Sequence, residues 1–263
     1  MGFLDLLRNF FTHKDFLPPA SEIPGTMFTP LHFIWSALLI GLIAFLVWRL
    51  RHWDERRLRP LFTIIWATLV VLEVVKIVWE STTGKTVGIE WGGILPLYPC
   101  SLFMYAMPFA IWGNEHVRRA GCGYVCTLGL IGGSINFIYP ATILGNYSCI
   151  SFAGFHTFLY HGAMVFVAIL MLVTGYHSYR GVKKWYQLLL PSVPALCLSV
   201  VANIVNFSIN ADYMFFRLRS FIFAPIGAAI GNWAVPLMYL VYIIAHALFY
   251  LPSYIASKCH KEA

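Results

Sequence analysis

The sequence predicts an all-α polytopic membrane protein with seven transmembrane helices, and two observations carry that prediction. Of its 263 residues, 59% are hydrophobic and 17% aromatic, while only 11% are charged, against about 25% in a soluble domain. The apolar residues also fall into runs of about 20, the length that crosses a hydrocarbon core of ~30 Å. The 18 Lys and Arg outnumber the 11 Asp and Glu. They sit in short segments between apolar runs, where they set topology rather than bind nucleic acid.

The elements follow in order. "MGFLDLLRNFFTHK" repeats apolar residues at Phe3, Leu4, Leu7, Phe10 and Phe11, an amphipathic pattern suited to lying at the membrane interface. Leu6 stands where a myristoylation motif needs Ser or Thr, so no lipid is expected on Gly2. Residues 1–25 are therefore an interfacial segment, and 30–254 a helical bundle, within a single transmembrane domain 1–263. The spans predicted are 30–49, 61–80, 95–113, 120–139, 152–175, 186–208 and 227–254. Pro30, Pro60 and Pro96 stand at the starts of the first three, where a missing N–H costs little. Pro191 and Pro194 predict a kink in the sixth.

Orientation follows from the loops. Arg49, Arg51, Arg56, Arg57, Arg59, Arg118, Arg119, Arg180, Lys183, Lys184, Lys258 and Lys261 fall on one side. Only Arg8, Lys14, Lys85, Arg217 and Arg219 fall on the other, and Lys76 is intramembrane. The positive-inside rule then puts the N-terminus outside and the C-terminus in the cytoplasm of a multi-pass cell-membrane protein. Two sequons, at Asn146 and Asn206, fall on the outer side.

Position in a span converts to depth at about 1.5 Å per residue. Cys100 comes about one turn into the third span, and His156 and His161 one to three turns into the fifth from the same side. Glu73, Lys76 and Glu80 lie in the outer half of the second span. Asn136, Asn203, Asn206 and Asn232 are near outer ends, so most intramembrane polar groups share one layer. Ionisable residues at membrane depth are expensive and point to function. Glu73, Lys76 and Glu80 also fit a self-neutralising ladder along one stripe, and the asparagines fit interhelical hydrogen bonding. His246 reads as a satisfied core histidine.

Cys100 has three readings: a nucleophile, an inert buried thiol, or half of a disulfide with Cys149. As a nucleophile it would use a helix start that favours an anion and a histidine base at matching depth. His156 and His161 are about 140° apart around a helix, so the two do not both face one thiol. The six cysteines show no CxxC and no zinc-ligand spacing, and no metal or cofactor is expected.

The fragments "LPLYPCSLFMYAMP", "GLIGGSINFIYP", "FHTFLYHGAMVFVAILML", "INADYMFF" and "GNWAVPLMYL" resemble, in order and spacing, the YwaF-type integral membrane proteins. That group is related to the eukaryotic transmembrane protein 164, and the resemblance covers roughly residues 30–254. It implies a lipid acyltransferase working through a cysteine acyl-enzyme, with membrane phospholipids or other acyl lipids as partners. It gives Cys100 the nucleophile role and His161 the role of general base, in preference to His156. Many bacterial members resemble "LPLHLC", with a histidine where this chain has Tyr98.

In the reading that results, Cys100 attacks the ester and Glu73 orients the histidine. Lys76 or Asn136 stabilises the oxyanion, and Arg217 and Arg219 hold the lipid phosphate. Tyr98 and Asn203 border the substrate. A transporter, with the Glu73–Lys76–Glu80 stripe lining a path, and a non-catalytic lipid-binding protein are the rival functions. Oligomeric state is not legible.

Overall fold

A computed structural model of the protein describes residues 3–85, 88, 91–219 and 223–259. Expectations on Gly2 and Lys261 lie outside the described residues. In chain order the α-helices are α1 (Phe3–Arg8), α2 (Pro30–Leu50), α3 (Glu55–Thr83), α4 (Trp91–Ile94), α5 (Leu102–Trp112), α6 (Glu115–Tyr124), α7 (Leu130–Ile138), α8 (Ala141–Leu144), α9 (Phe152–Val173), α10 (Val193–Ile209), α11 (Ala224–Ile230) and α12 (Ala234–Cys259). No strand forms among the described residues.

Among the described residues, six helical stretches are long and apolar enough to cross a membrane: Pro30–Leu50, Glu55–Thr83, Glu115–Leu144, Phe152–Val173, Trp185–Ile209 and Ala224–Cys259. They leave Leu38, Phe45, Trp48, Ile64, Val71, Phe207 and Leu248 about half exposed or more, a surface that lipid rather than water solvates. The predicted third span differs. Only its second half is helical, and α5, at 11 residues, covers roughly 17 Å, too little to cross alone. Pro96 and Pro99 are the physical reason, since a proline bars helical geometry at the residue before it. The prolines predicted to kink the sixth span instead precede or start its helix. Pro191 sits in a short 3-10 turn and Pro194 in the first turn of α10. Gly231, at φ +53°, breaks the last stretch between α11 and α12, a conformation glycine adopts without steric cost.

Helix starts follow local chemistry. Thr29 accepts from the His32 N–H ahead of Pro30, Asp54 from Arg57, and Asn114 from Val117; these are ordinary N-caps.

The chain packs as two compact units, Met1–Ile89 with Leu130–Leu170, and Glu90–Gly129 with Met171–Ala263. In the first, α2 meets α7: buried His32 Nε2 and Ser36 Oγ both bond the Phe137 carbonyl, at 3.1 and 3.0 Å. The N-terminal segment docks through Trp79, whose indole N–H donates to the Phe11 carbonyl and whose ring packs on Phe152. Leu4, Leu7 and Phe11 remain exposed, while Phe10 packs against the Trp79 cluster.

In the second unit α5 and α6 form a tight hairpin. A Cβ on Gly121 would come within 2.5 Å of the Ala110 nitrogen and 2.8 Å of the Ala106 carbonyl oxygen, so the small residue sets the backbone approach. A five-residue π turn, Val125–Gly129, follows α6; such bulges cluster at functional sites.

The connection after α9 carries a titratable lock. His177 is buried, and its Nε2 is hydrogen-bonded to the Tyr250 hydroxyl at 2.6 Å. Burial first, then the charges of Arg119 and Arg118, hold its pKa down to about 4. A histidine depressed in the fold is protonated first in the unfolded chain, so its contribution is complete above pH ~6.5 and is lost as pH falls toward 4. We expect thermal stability in detergent to drop by about 2 kcal/mol between pH 7 and pH 5, and His177→Gln to remove most of that slope. An unchanged slope in the variant would assign the acid sensitivity elsewhere.

Candidate functional site

The Tyr98-Pro99-Cys100 stretch that the sequence singles out lies in the second unit, in the irregular chain before α5. Twelve residues separate Cys100 from the end of α5, roughly 18 Å, about half the hydrocarbon thickness. Cys100 thus lies in a turn two residues ahead of the 11-residue α5 rather than one turn into a long helix.

Non-helical backbone at membrane depth persists only where protein satisfies its polar groups. Two tyrosines do this here. Tyr213, fully buried, donates its hydroxyl to the Trp91 carbonyl and accepts from the Leu95 N–H. Tyr124, also fully buried, donates its hydroxyl to the Pro99 carbonyl, beside the nucleophile candidate. Tyr98 packs its ring against Tyr213 and Phe215, with centroids 5.1 and 5.9 Å apart.

Tyr213 is itself held from both sides. Asn206 accepts from its N–H at 2.7 Å and donates to its carbonyl at 2.9 Å. Asn206 is therefore an interior bracket, and its sequon offers no accessible side chain in the folded protein. The loop around Tyr213 is strained, with Asn210, Met214, Phe215 and Leu218 all at positive φ. Such strain collects at functional sites. We expect Tyr213→Phe, which strands the Trp91 carbonyl and the Leu95 N–H, to lower stability by about 2 kcal/mol; a melting curve superimposable on wild type would remove this role.

Arg217 and Arg219 fold back on this loop. Arg217 reaches Asn210 Oδ1 and the Asn206 carbonyl, and Arg219 reaches the Asn210 carbonyl and side chain. Asp212 accepts from both backbone N–H groups. Asn203 donates to the Tyr239 hydroxyl at 3.0 Å, an interhelical bond between α10 and α12.

His246, on α12, is the residue the sequence reading missed. It is completely buried, its Nδ1 lies 2.5 Å from the Tyr242 carbonyl, and its Nε2 has no partner. Because a carbonyl only accepts, Nδ1 carries the proton and Nε2 is a bare lone pair. The expectation of a satisfied core histidine is corrected: half of this ring is unsatisfied. Its neighbour is Tyr124, with ring centroids 5.6 Å apart.

The first unit gathers the other predicted group. Glu73 is buried; its Oε1 lies 3.5 Å from Lys76 Nζ and its Oε2 3.2 Å from His156 Nε2. The His156 contact is at ion-pair distance but not aligned as a hydrogen bond. The acid meets His156 across the helix pair, at 3.2 Å. His161 is half-buried one turn further along α9, and its Nδ1 lies 2.8 Å from the Thr157 carbonyl, which again leaves Nε2 as the basic nitrogen. Asn136 donates only to the Gly132 carbonyl, at 3.5 Å, and its Oδ1 is buried without a partner. Cys100 is half-buried and Cys149 buried, and neither is in a disulfide. That removes the disulfide reading of Cys100. No group of three or more His, Cys, Asp or Glu able to hold a metal forms among the described residues.

These features define an all-helical membrane protein with six candidate membrane-spanning helices among the described residues, a cysteine just ahead of a short pinned helix and a buried acid–lysine–histidine cluster. The chain belongs to the TMEM164 family, whose family model matches residues 27–255. No curated protein and no solved structure matches it.

Proposed function

We propose that this chain is a cell-membrane lipid acyltransferase that moves a fatty acyl chain between lipids through a Cys100 thioester. The observation that supports this reading best is the presentation of Cys100. Cys100, half-buried as a residue, stands two positions ahead of the short helix α5, and its irregular approach is fixed by the Tyr124 and Tyr213 hydroxyls. Such preorganisation suits a group that must meet an ester carbonyl in one geometry.

Cys100 Sγ attacks the donor ester carbonyl as His161, the general base, takes the thiol proton, and the imidazolium then gives that proton to the departing donor alkoxide. His161 Nε2, the basic nitrogen of its tautomer, takes the proton of the acceptor hydroxyl. That oxygen then attacks the thioester and displaces the thiolate, which regains its proton from the His161 imidazolium. Water in place of the acceptor would make the same site a lipid acyl-ester hydrolase. Tyr98 borders the thiol, and Asn203 lines the α10–α12 side. Lys76 and Asn136 are the assigned oxyanion donors. Arg217 and Arg219 offer their remaining N–H groups to a lipid phosphate, and Glu73 and His156 complete the polar group on α3 and α9.

The test is covalent capture. Purified protein in vesicles of alkyne-tagged phosphatidylcholine should acquire a hydroxylamine-sensitive label on the Cys100 peptide. A protein that turns over or binds lipid without any label on Cys100 would discard the mechanism.

One observation favours a second reading. A broken span together with a buried Glu73–Lys76–His156 cluster is the equipment of a transporter. Ion or substrate flux in proteoliposomes that depends on Glu73 and not on Cys100 would select it.

A further inference from the structure

The second unit contains a cavity of about 430 Å³ that the acyl-transfer reading does not use. It lies between the connection after α9 and one face of α12, lined by Tyr179, Arg180, Phe249, Pro252, Ser253 and Ala256. The α12 members fall at i, i+3, i+4 and i+7, one stripe of a helix. Its volume is within the roughly 300–1,000 Å³ of ligand sites. The wall is fixed in advance. Tyr179 donates its hydroxyl to the Cys126 carbonyl, and its ring packs on Phe249 and Tyr250, with centroids 5.5 and 5.2 Å apart. Ser253 Oγ accepts from the Val182 N–H at 3.4 Å, which leaves its own proton to give.

The surroundings of the cavity are cationic. Arg180 commits its backbone N–H to Ser178 Oγ, and its exposed side chain forms no ion pair among the described residues. Lys183 and Lys184 lead into the Trp185–Leu188 turn, which packs against α12, and Lys258 lies in the last turn of that helix. The connection also meets α6, where Arg118 stacks on Tyr176 and Arg119 Nη2 is buried without a hydrogen-bond partner. The described acids of the unit do not offset this charge. Asp212 accepts from the Arg217 and Arg219 N–H groups, and Glu115 opens α6. Trp185, 64% exposed, and Tyr186 stand beside the lysines, as rings that prefer the headgroup level do. A guanidinium grips phosphate oxygens bidentately, while Phe249, Pro252 and Ala256 offer an apolar track. A soluble anion would leave that track uncovered. The ammonium of a zwitterionic lipid would meet Lys183, Lys184 and Lys258.

We propose that this cavity binds an anionic phospholipid, with its phosphate on Arg180 and Ser253 Oγ and one acyl chain along the α12 stripe. On the positive-inside reading the lipid belongs to the cytoplasmic leaflet, whose anionic surface attracts basic segments. Cys100 is not among the lining residues, so the lipid acts as a bound stabiliser and not as acyl donor. It bridges α12 and the connection that carries His177, and binding the folded chain alone raises stability by mass action.

The experiment reads lipid binding directly. Full-length protein in micelles receives equal amounts of dioleoylphosphatidylglycerol and dioleoylphosphatidylcholine, and native mass spectrometry identifies the adducts. We expect a single phosphatidylglycerol adduct, favoured at least about tenfold over phosphatidylcholine. The melting point should rise by about 3 °C when phosphatidylglycerol is at about ten times its dissociation constant. Arg180→Gln should cut the adduct about tenfold. Ala256→Trp, which fills the stripe without changing charge, should do the same. Lys183→Gln, a neighbouring cation outside the lining, should leave it intact. Equal losses in Arg180→Gln and Lys183→Gln would mean unspecific surface charge and overturn the site. So would equal binding of the two lipids, or an Ala256→Trp protein that keeps the adduct. Inorganic phosphate is the last arm: an equal rise in melting point with phosphate alone would mean a soluble anion and overturn the lipid. All three substituted side chains are exposed, and should a variant still fail to fold, the wild-type comparison of the two lipids and phosphate decides by itself.

Discussion

Cys100→Ser should abolish the hydroxylamine-sensitive lipid label and reduce acyl transfer by at least about 1,000-fold, with the helical fold and melting temperature nearly unchanged. The exchange replaces one second-row atom by a smaller one in a half-buried position, so little packing is lost. The Tyr124 and Tyr213 hydroxyls hold the Pro99 and Trp91 carbonyls in both forms, so the irregular segment stays pinned. What disappears is the nucleophile itself, because a serine hydroxyl at neutral pH needs far more activation than a thiol. Cys149→Ser is the matched control. Cys149 is buried in the other unit, with its backbone N–H on the Gly25 carbonyl, and its removal should leave labelling of Cys100 intact. Equal loss in both variants would mean that the thiols serve folding and not acyl transfer.

The particular residues show which parts of this arrangement a sequence can reveal. Apolar run length and loop charge are local quantities, and the long helices α2, α3, α9 and α12 follow from them. The half-helix was partly legible. Residues 95–113 are apolar enough to suggest a span, but two prolines stand ahead of Cys100, and their steric effect confines helix to Leu102–Trp112. Composition windows average that signal away. The Lys76–Glu73 contact was legible too, since three residues bring side chains onto one helical face. The partner of Glu73 was not, because the choice between His156 and His161 turns on the rotation of α9, which no local pattern fixes.

The cradle of Cys100 was hidden for a related reason. Tyr124, Tyr213 and Tyr242 act through bonds to backbone groups far away in sequence, and Asn206 brackets the Tyr213 backbone from the preceding helix. Their side chains look like ordinary interfacial aromatics and amides until the chain is folded. A signal was available in principle: an irregular segment at membrane depth must find polar partners, and buried tyrosines are the side chains that reach. The same holds for His246. A histidine in an apolar helix is as a rule satisfied, and only the neighbours around the ring decide whether it is.

Removing the acid of the first unit has the second large effect. Glu73 is 7% exposed and its two oxygens face two different cations or proton carriers, Lys76 at 3.5 Å and His156 at 3.2 Å. Glu73→Ala leaves Lys76 charged in a partly buried site and His156 without its orienting carboxylate. Breaking one side of a buried pair costs about 3–5 kcal/mol. We expect that loss in stability together with strongly reduced expression in the membrane. Lys76→Met strands the carboxylate instead, though His156 remains to share it, so the loss should be smaller. The double variant Glu73→Ala with Lys76→Met removes both charges and should recover at least about 1 kcal/mol relative to the sum of the single losses. The argument is geometric: α3 carries both residues on one stripe, and α9 supplies the third member across it. Strict additivity in this cycle, measured by reversible unfolding in mixed micelles, would show that the three groups are solvated independently, and would return Glu73 to a solitary charge that water or lipid headgroups reach.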